Sequence, residues 1–297
     1  MDEKNRDGTP ELSQVAPFDM NWSEHVLVHR GSHSCFYKVY WKEKDLWLGL
    51  KEEECIDPQA VVRTIQTIKR LHSNFILHYY HAFVDGDKTV VLLTELMDYA
   101  LKDLHRQDNR HHHRFTERQM KAVAFLTLHA LADLHDRFCM VHGDVSPSNI
   151  LLRLSGELKL GDLSSAMSVY APVEYFSGTI FYTAIEVLKD RQLASSPSSD
   201  IWALGVTLYQ CINGDHPVCK TSNDDFWSFL SAMEFAMKTK QQPMSLSHYS
   251  NNFHNFITSM LQWDPALRPT ARSLLSHTWF SNFTIVDAQQ ELHLMTA

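Results

Sequence analysis

The chain has 297 residues, of which 44% are apolar and 21% are charged. This composition is typical of a folded globular protein and excludes a disordered or collagen-like chain. Lys and Arg number 27 against 35 Asp and Glu, a formal net charge of −8, so we expect no nucleic-acid partner. The sequence has no apolar run of about 18 residues, so it predicts no membrane span.

The cysteines indicate a reducing environment. There are five, an odd number, and none forms a C-x-x-C pair: Cys35, Cys55, Cys139, Cys211 and Cys219. This spacing fits neither a disulfide framework nor a zinc site. The polar start MDEKNRDGTP has no apolar core of a secretory signal. We therefore expect an intracellular protein, cytoplasmic and/or nuclear.

The first third of the chain predicts strands and one helix. Residues 1–20 are polar and lack periodicity, so they are predicted to form a flexible N-terminal arm. The helix is predicted to start at Asp57, as N-cap, and Pro58, with apolar residues at helical spacing after them. Runs rich in β-branched and aromatic residues predict strands at 26–29, 36–41, 46–51 and 89–96.

From about residue 100 onward the pattern is helical. Thr116 is a plausible N-cap for a helix over 116–138, and a second helix over 198–213 is predicted to end at Gly214. The sequence therefore predicts an α+β protein with a small strand-rich lobe followed by a larger helical lobe. A cleft between two such lobes is the natural place for a ligand.

Four motifs carry the chemistry. They are VHGDVSPSNILL at 141–152, KLGDL at 159–163, GTIFYTAIE at 178–186 and DIWALG at 200–205. In this order and spacing, and with Lys51 upstream, they resemble the signature set of the protein kinases. The resemblance covers residues 22–280. Further stretches resemble the MAP kinase kinase family: YYHAFVDGD at 79–87, TELMDYALKDL at 94–104 and DVSPSNILL at 144–152.

The resemblance implies a bilobal protein-kinase-like fold. Its N-lobe, over about 22–96, is expected to be small, antiparallel and β-rich, and its C-lobe, over about 97–280, larger and mostly α-helical. The kinase-like domain is then residues 21–280, followed by a C-terminal tail at 281–297.

The same resemblance assigns the catalytic and metal roles. Asp144 stands at the position of the catalytic base, and Lys51 at the position of the lysine that contacts the α- and β-phosphates of ATP. Asn149 and Asp162 stand at the positions that hold Mg²⁺, for which carboxylate and amide oxygens are suitable ligands. ATP and Mg²⁺ are therefore the expected cofactors.

The nucleotide-binding residues are also placed by resemblance. Besides Lys51, they are Gly31, Ser32, Ser34 and Val39 in the phosphate-binding loop, and Glu95 and Met97 in the segment expected to bond adenine. Thr94 stands at the position preceding that segment. With Val39 aligned on the family's loop valine, Ser32, Ser34 and Tyr37 replace three glycines, which normally allow close approach of backbone to phosphate.

The partner of the catalytic lysine departs from the pattern. Thr64 stands where the family has a helix glutamate that pairs with the lysine, and no Glu occurs from 55 to 75. Glu52 is expected to point to the opposite face of the strand from Lys51. Glu53 shares the face of Lys51 but lies about 7 Å along the strand, so Lys51 is expected to have lost its orienting carboxylate.

Other departures affect regulation. Gly143 replaces the arginine of H-R-D, Ser146 replaces a lysine of the catalytic loop, and Ser164 replaces the glycine of D-F-G. The family's activating Ser/Thr pair falls on Ala171 and Tyr175. We therefore expect that any activity does not require phosphorylation of the activation loop.

Two further contacts are implied by resemblance to be structural. Glu186 should pair with Arg268 in the helical lobe, and Asp200 should anchor the backbone of the catalytic loop.

Three functions remain open from the sequence. The first is an ATP- and Mg²⁺-dependent protein kinase that phosphorylates Ser or Thr residues of a protein substrate, or that has dual specificity. The second is a pseudokinase that serves as an allosteric or scaffolding partner in signalling. The third is a small-molecule kinase, because H-G-D-x-x-x-x-N also occurs in such enzymes, although GTIFYTAIE and DIWALG resemble a peptide-substrate platform.

Overall fold

The structure is a computed structural model that describes residues 22–31, 33–70, 72–104, 115–170, 178–218, 226–241, 246 and 248–296. The predicted arm at 1–20 and the loop residue Ser32 lie outside the described residues, as do the activation-loop positions Ala171 and Tyr175. The described residues form two compact units, one within Met1–His72 and Leu77–Met97 and one within Ser73–Ile76 and Asp98–Ala297.

The first unit is built on an antiparallel five-stranded sheet in the order β1-β2-β3-β5-β4. The strands are β1 (Trp22–Arg30), β2 (Ser34–Trp41), β3 (Leu46–Glu54), β4 (Tyr79–Asp85) and β5 (Thr89–Glu95). One face of the sheet buries a cluster made of Val39, Trp41, Leu48, Tyr80 and Leu93. This confirms the predicted β-rich, antiparallel N-terminal region.

Helix α1 (Pro58–Lys69) is the predicted helix of this unit. The side chain of Asp57 caps it by accepting a hydrogen bond of 2.9 Å from the backbone N–H of Ala60. Its apolar stripe, at helical spacing, is buried: Val61, Val62, Ile65 and Ile68. Burial of this stripe stabilises the helix, because propensity alone rarely holds a helix of three turns.

The second unit is mainly helical, as predicted. Helix α3 (Glu117–Ala132) begins with a capping box between Thr116 and Gln119 and continues into a π-helical turn at Asp133–Arg137. Helix α5 (Pro197–Asn213) ends at Gly214, whose φ of 82° is the left-handed conformation that suits glycine. Both helices are largely buried and form the centre of this unit.

The remaining elements of this unit are short strands and peripheral helices. They are β6 (Tyr99–Ala100), α2 (Leu101–Leu104), β7 (Met140–Val141), β8 (Ile150–Leu152), β9 (Leu158–Leu160), β10 (Met167–Ser168), α4 (Ile185–Lys189), α6 (Phe226–Lys238), α7 (Asn251–Met260), α8 (Ala271–Leu274) and α9 (Ile285–Thr296). Strand β7 pairs with β10, and β8 pairs with β6 and β9, all antiparallel.

Helix α9 lies in the segment that is predicted to be a C-terminal tail. It packs against α3 and buries Ala288 and Leu292. The turn between β8 and β9 meets it at Gly156, which has a φ of 87° and where a Cβ would lie 2.0 Å from the backbone oxygen of Gln289. Only glycine fits there without moving the helix.

The structure contains neither disulfides nor membrane helices within the ranges it describes. Four cysteines are free thiols, namely Cys35, Cys55, Cys139 and Cys211; Cys219 lies outside the described residues. In the described ranges, no helix is long and apolar enough to cross a bilayer.

Candidate active site

The carboxylate of Asp200, buried near the start of α5, anchors the loop that follows β7. It accepts hydrogen bonds from the backbone N–H groups of His142 (2.8 Å) and Gly143 (3.0 Å) and contacts Nε2 of His135 at 2.8 Å. Burial alone would raise the pKa of Asp200, but the bonds and the charge of His135 outweigh it and the pKa is lowered. The predicted anchoring role is confirmed.

Asp144 lies on the loop that Asp200 holds, and both of its carboxylate oxygens are engaged. Oδ1 accepts a hydrogen bond of 2.7 Å from the backbone N–H of Thr179, and Oδ2 accepts one of 2.8 Å from Nδ2 of Asn149. Nδ2 of Asn149 also donates to the backbone oxygen of Asp144 at 2.7 Å. These hydrogen bonds fix the direction of the Asp144 carboxylate.

Asp162 is joined to the same loop through its neighbour. The backbone N–H of Gly161 donates to the oxygen of Asn149 at 2.8 Å, and Nε2 of His142 lies 2.8 Å from the oxygen of Gly161. Asp162 itself has a left-handed backbone with φ 58°, and the hydroxyl of Ser164 donates to its carboxylate. Ser164, in place of the expected glycine, thus contacts the candidate metal ligand directly.

The chemistry of the two candidate metal ligands fits Mg²⁺. Asp162 supplies carboxylate oxygens, and Asn149 supplies an amide oxygen, since its amide nitrogen makes the two bonds to Asp144. Mg²⁺ commonly takes one or two protein ligands and completes its shell with water and phosphate oxygens. Within the described part of the chain, no group of three or more His, Cys, Asp and Glu is arranged to hold a metal on its own.

Gly143 explains why this loop has no arginine. Its φ is 78°, and a Cβ at this position would lie 2.7 Å from the backbone oxygen of Ser165. Both the left-handed backbone and the contact disfavour any side chain. The sequence motif reveals the substitution but not its cause, which is the close approach of the segment after Asp162.

A recess opens beside Asp144 within the second unit. Thr179, Tyr182, Thr183 and Ser199 contribute to its walls. Tyr182 donates to Oε1 of Gln210 at 2.5 Å, and burial raises its pKa. Tyr182 therefore stays neutral at physiological pH.

Lys51 lies on β3 in the first unit and has a carboxylate partner. Its Nζ is 2.9 Å from Oε2 of Glu53, and both side chains are largely buried, with 19% and 22% of their surface exposed. The expectation that Lys51 has lost its orienting carboxylate is wrong. The two backbones are far apart along the strand, but the long side chains lean together and meet.

Val39 occupies the face of the sheet opposite to Lys51. In the register of β2 and β3, Phe36 is opposite Lys51 and Val39 is opposite Leu48. Val39 is 2% exposed and belongs to the apolar cluster of that other face. This position argues against the predicted contact of Val39 with nucleotide. The same register places Phe36 on the face of Lys51. Counting alternate residues back from Lys51 along β3 and β2 would have identified Phe36 from the sequence.

The remaining nucleotide-binding candidates also lie in the first unit. The backbone N–H of Gly31 donates to the oxygen of Ser34 at 2.8 Å, which closes a turn before β2, and Ser34 is opposite Glu53 in register. The side chain and the N–H of Glu95 bond the backbone of His78 at 2.8 and 3.0 Å. Among the described residues, no hydrogen-bond partner is found for the backbone of Met97, which is 9% exposed.

The predicted pair of Glu186 and Arg268 is confirmed. Nη2 of Arg268 donates to Oε2 of Glu186 at 3.0 Å, and Nη1 donates to Oε1. The side chain of Arg268 is fully buried, and its guanidinium lies 4.9 Å from the ring centre of Trp202. This bidentate ion pair ties the segment that contains Thr179 and α4 to the rest of the unit.

Comparison with known sequences identifies the family of this chain. A sequence profile described as "Protein kinase domain" matches residues 26–280. That match includes every candidate site residue described above.

Several curated relatives are MAP kinase kinases. The MAP kinase kinase MKK1/SSP32 of Saccharomyces cerevisiae is 28% identical over 236 residues, which cover 75% of this chain and 45% of that protein. Mitogen-activated protein kinase kinase 1c of Physcomitrium patens is 29% identical over 225 residues, covering 74% of this chain and 62% of that protein. Mitogen-activated protein kinase kinase 1 of Arabidopsis thaliana is 24% identical over 279 residues, covering 91% and 77%. The chain thus spans less than two thirds of the length of the first two relatives.

Proposed function

The chain belongs to the protein kinase family, and on that premise we propose that it is an active phosphotransferase. It uses ATP and Mg²⁺ and transfers the γ-phosphate to a Ser or Thr hydroxyl of a protein substrate. The observation that carries this proposal is the geometry of Asp144, whose carboxylate is held by Thr179 and Asn149 beside an open recess. The relatives' names make another protein kinase the first substrate to test.

In this proposal Asp144 accepts the proton of the substrate hydroxyl. Phosphoryl transfer asks little covalent chemistry of the protein, so orientation of the hydroxyl is the main contribution of this residue. The two bonds to its carboxylate fix the direction of that oxygen pair. The recess lies beside this oxygen pair, where a substrate hydroxyl would approach it.

Lys51 contributes positive charge to the phosphates, and Asn149 and Asp162 would hold the metal. When bound, Mg²⁺ neutralises charge on the phosphate oxygens. Ser164 keeps the Asp162 carboxylate in one orientation through its hydroxyl bond. In the first unit, the Met97 backbone supplies hydrogen-bonding groups for adenine.

The alternative is a pseudokinase that acts as an allosteric or scaffolding partner. The serines of the phosphate-binding loop and Thr64 in helix α1 favour it, because each removes a group that assists ATP use in kinases. Against it stand the retained Lys51, Asp144 and Asp162. Degenerate kinases usually lack one of these three.

Nucleotide binding is the first test. Thermal unfolding is measured with ATP, with and without Mg²⁺, for the wild type and Lys51→Ala. A ligand at 100 times its dissociation constant stabilises by about 2.7 kcal/mol, which raises the unfolding midpoint of a chain of this size by about 4 °C. A Mg²⁺-dependent rise that is lost in Lys51→Ala supports the proposal, and no rise at millimolar ATP refutes it.

Catalysis is the second test, with Asp144→Asn as the critical variant. This variant is expected to bind ATP as the wild type does and to lose transfer of radiolabelled phosphate to protein. If the wild type binds ATP but transfers no more phosphate than Asp144→Asn, on substrates that include MAP kinases, the pseudokinase alternative is favoured.

A further inference from the structure

The ion pair of Lys51 and Glu53 joins two residues of one strand. Its 2.9 Å separation is that of a charge-assisted hydrogen bond, and only about a fifth of either side chain is exposed. Attraction between charges is screened less at a partly buried site than at the surface. This contact is therefore strong enough to define where the Lys51 ammonium lies.

Helix α1 offers no carboxylate for this purpose. Its sequence, PQAVVRTIQTIK, contains neither Asp nor Glu. The nearest acid in sequence is Asp57, which caps the helix through the Ala60 N–H and lies 3.7 Å from Nη2 of Arg63. Asp57 is thus committed to the start of the helix.

The neighbouring strands place no other acid on this face at these positions. Opposite Lys51 lie Phe36 on β2 and Leu92 on β5, and opposite Glu53 lie Ser34 and Val90. A hydroxyl and three apolar side chains therefore flank the pair. Within this part of the sheet, Glu53 is the acid in reach of Lys51.

Glu52 lies on the opposite face and provides a matched comparison. It is opposite Cys35 in register. The pKa of Tyr37 is raised, first by its hydrogen bond with Cys35 and then by burial and the charge of Glu52. Glu52 and Glu53 thus carry the same charge on neighbouring positions, but only Glu53 contacts Lys51.

We propose that Glu53 is the positioning residue for Lys51, in place of the helix carboxylate that Thr64 does not supply. This inference rests on the proposed function, because it concerns how Lys51 meets the phosphates of ATP. In kinases with a helix glutamate, movement of that helix makes or breaks the lysine pair and so controls activity. Here the lysine is held by its own strand, so its orientation is independent of helix α1.

The test is a double-mutant cycle on nucleotide affinity. Dissociation constants for Mg·ATP and for adenosine are measured by calorimetry with the wild type, Glu53→Gln, Lys51→Ala and the double variant. Glu53→Gln is expected to weaken ATP binding about three- to tenfold and to leave adenosine binding unchanged, because adenosine has no phosphate. In the Lys51→Ala background it is expected to have no further effect on ATP.

Two controls separate positioning from folding. Glu53→Asp keeps the charge and is expected to bind ATP more tightly than Glu53→Gln does. Glu52→Gln removes the same charge from the other face and is expected to leave ATP affinity unchanged.

The inference is overturned if Glu53→Gln weakens the binding of ATP and of adenosine equally. It is overturned as well if Glu53→Gln weakens ATP binding as strongly in the Lys51→Ala background as in the wild type. It is also overturned if Glu53→Gln tightens ATP binding, because Glu53 would then compete with phosphate for the lysine. Failure of the inference and failure of the proposed function are distinguishable. If the wild type does not bind ATP at all, the proposed function fails, whereas if it binds ATP and Glu53→Gln has no effect, only the inference fails.

Discussion

The ring of Phe36 occupies the space that a side chain at Gly49 would need. A Cβ at position 49 would lie 2.9 Å from Cζ of Phe36 and 2.8 Å from Oγ1 of Thr94. Gly49 and Lys51 share a face of β3, and Phe36 is opposite Lys51 in register. The absence of a side chain at position 49 therefore leaves room on this face for the ring of Phe36.

Gly49→Ala is expected to destabilise the first unit by about 1–3 kcal/mol, the usual result of overpacking. The measurement is urea unfolding. Phe36→Val should relieve the contact, so Gly49→Ala should cost less in that background than in the wild type. An equal cost in both backgrounds would show that the ring does not limit position 49.

Gly143→Ala is expected to destabilise the second unit by more than Gly214→Ala does. Both glycines have positive φ, but a Cβ at Gly143 would contact the oxygen of Ser165, whereas a Cβ at Gly214 would contact nothing within 4 Å. The left-handed conformation alone costs about 1–2 kcal/mol. Urea unfolding of the two variants isolates the added cost of the contact, and equal losses would argue against it.

Arg268→Met is expected to destabilise the protein by about 3–5 kcal/mol, because it leaves the Glu186 carboxylate without its buried partner. Thermal and urea unfolding measure the loss. The double variant Arg268→Met with Glu186→Gln should lose less than the sum of the single variants. Strict additivity would show that the two side chains do not act as a pair.

The stability of the fold should fall between pH 7 and pH 5, and His216 should contribute. Burial lowers the pKa of His216 to about 4, while an unfolded histidine titrates near 6.5. On acidification His216 takes up a proton in the unfolded chain but stays neutral in the folded protein. The stability that it contributes above pH 6.5 is therefore lost as the pH falls toward 4. This amounts to about 2 kcal/mol at pH 5 relative to pH 7 for His216 alone.

Urea unfolding at pH 7 and pH 5 tests this expectation. His216→Gln should remove that part of the pH dependence. His248→Gln, at an exposed position, should leave it unchanged. A wild type and His216→Gln with the same pH dependence would contradict the assignment.

Sequence patterns predicted the contacts that follow from motifs framed by several residues. Asp200 and the pair of Glu186 and Arg268 were predicted because each lies in a block whose order and spacing were specific. The alignment that assigns Val39 to the nucleotide site depends on a loop motif that has lost its glycines, so the sequence gives it little support. The strand register, which depends on pairing between β2 and β3, decided instead that Phe36 faces the same side as Lys51.

Glu53 illustrates a different limit. The sequence placed it on the correct face of the strand, but a backbone spacing of about 7 Å suggested that it was out of reach. Side-chain length and flexibility, which a spacing rule ignores, bring the two charged groups together at 2.9 Å. Similarly, the motif revealed the loss of the arginine at Gly143, but only the backbone of Ser165 explains it.

The contact between Gly156 and helix α9 limits how far the protein can be truncated from its C-terminal side. The kinase-domain profile ends at residue 280, yet a fragment cut there would lose α9, which buries Ala288 and Leu292 against the unit. Such a fragment would expose the apolar surface of α3. The turn at Gly156 would also lose the helix against which it packs. The folding unit therefore extends beyond the family boundary to residue 296, and fragments for expression should retain it.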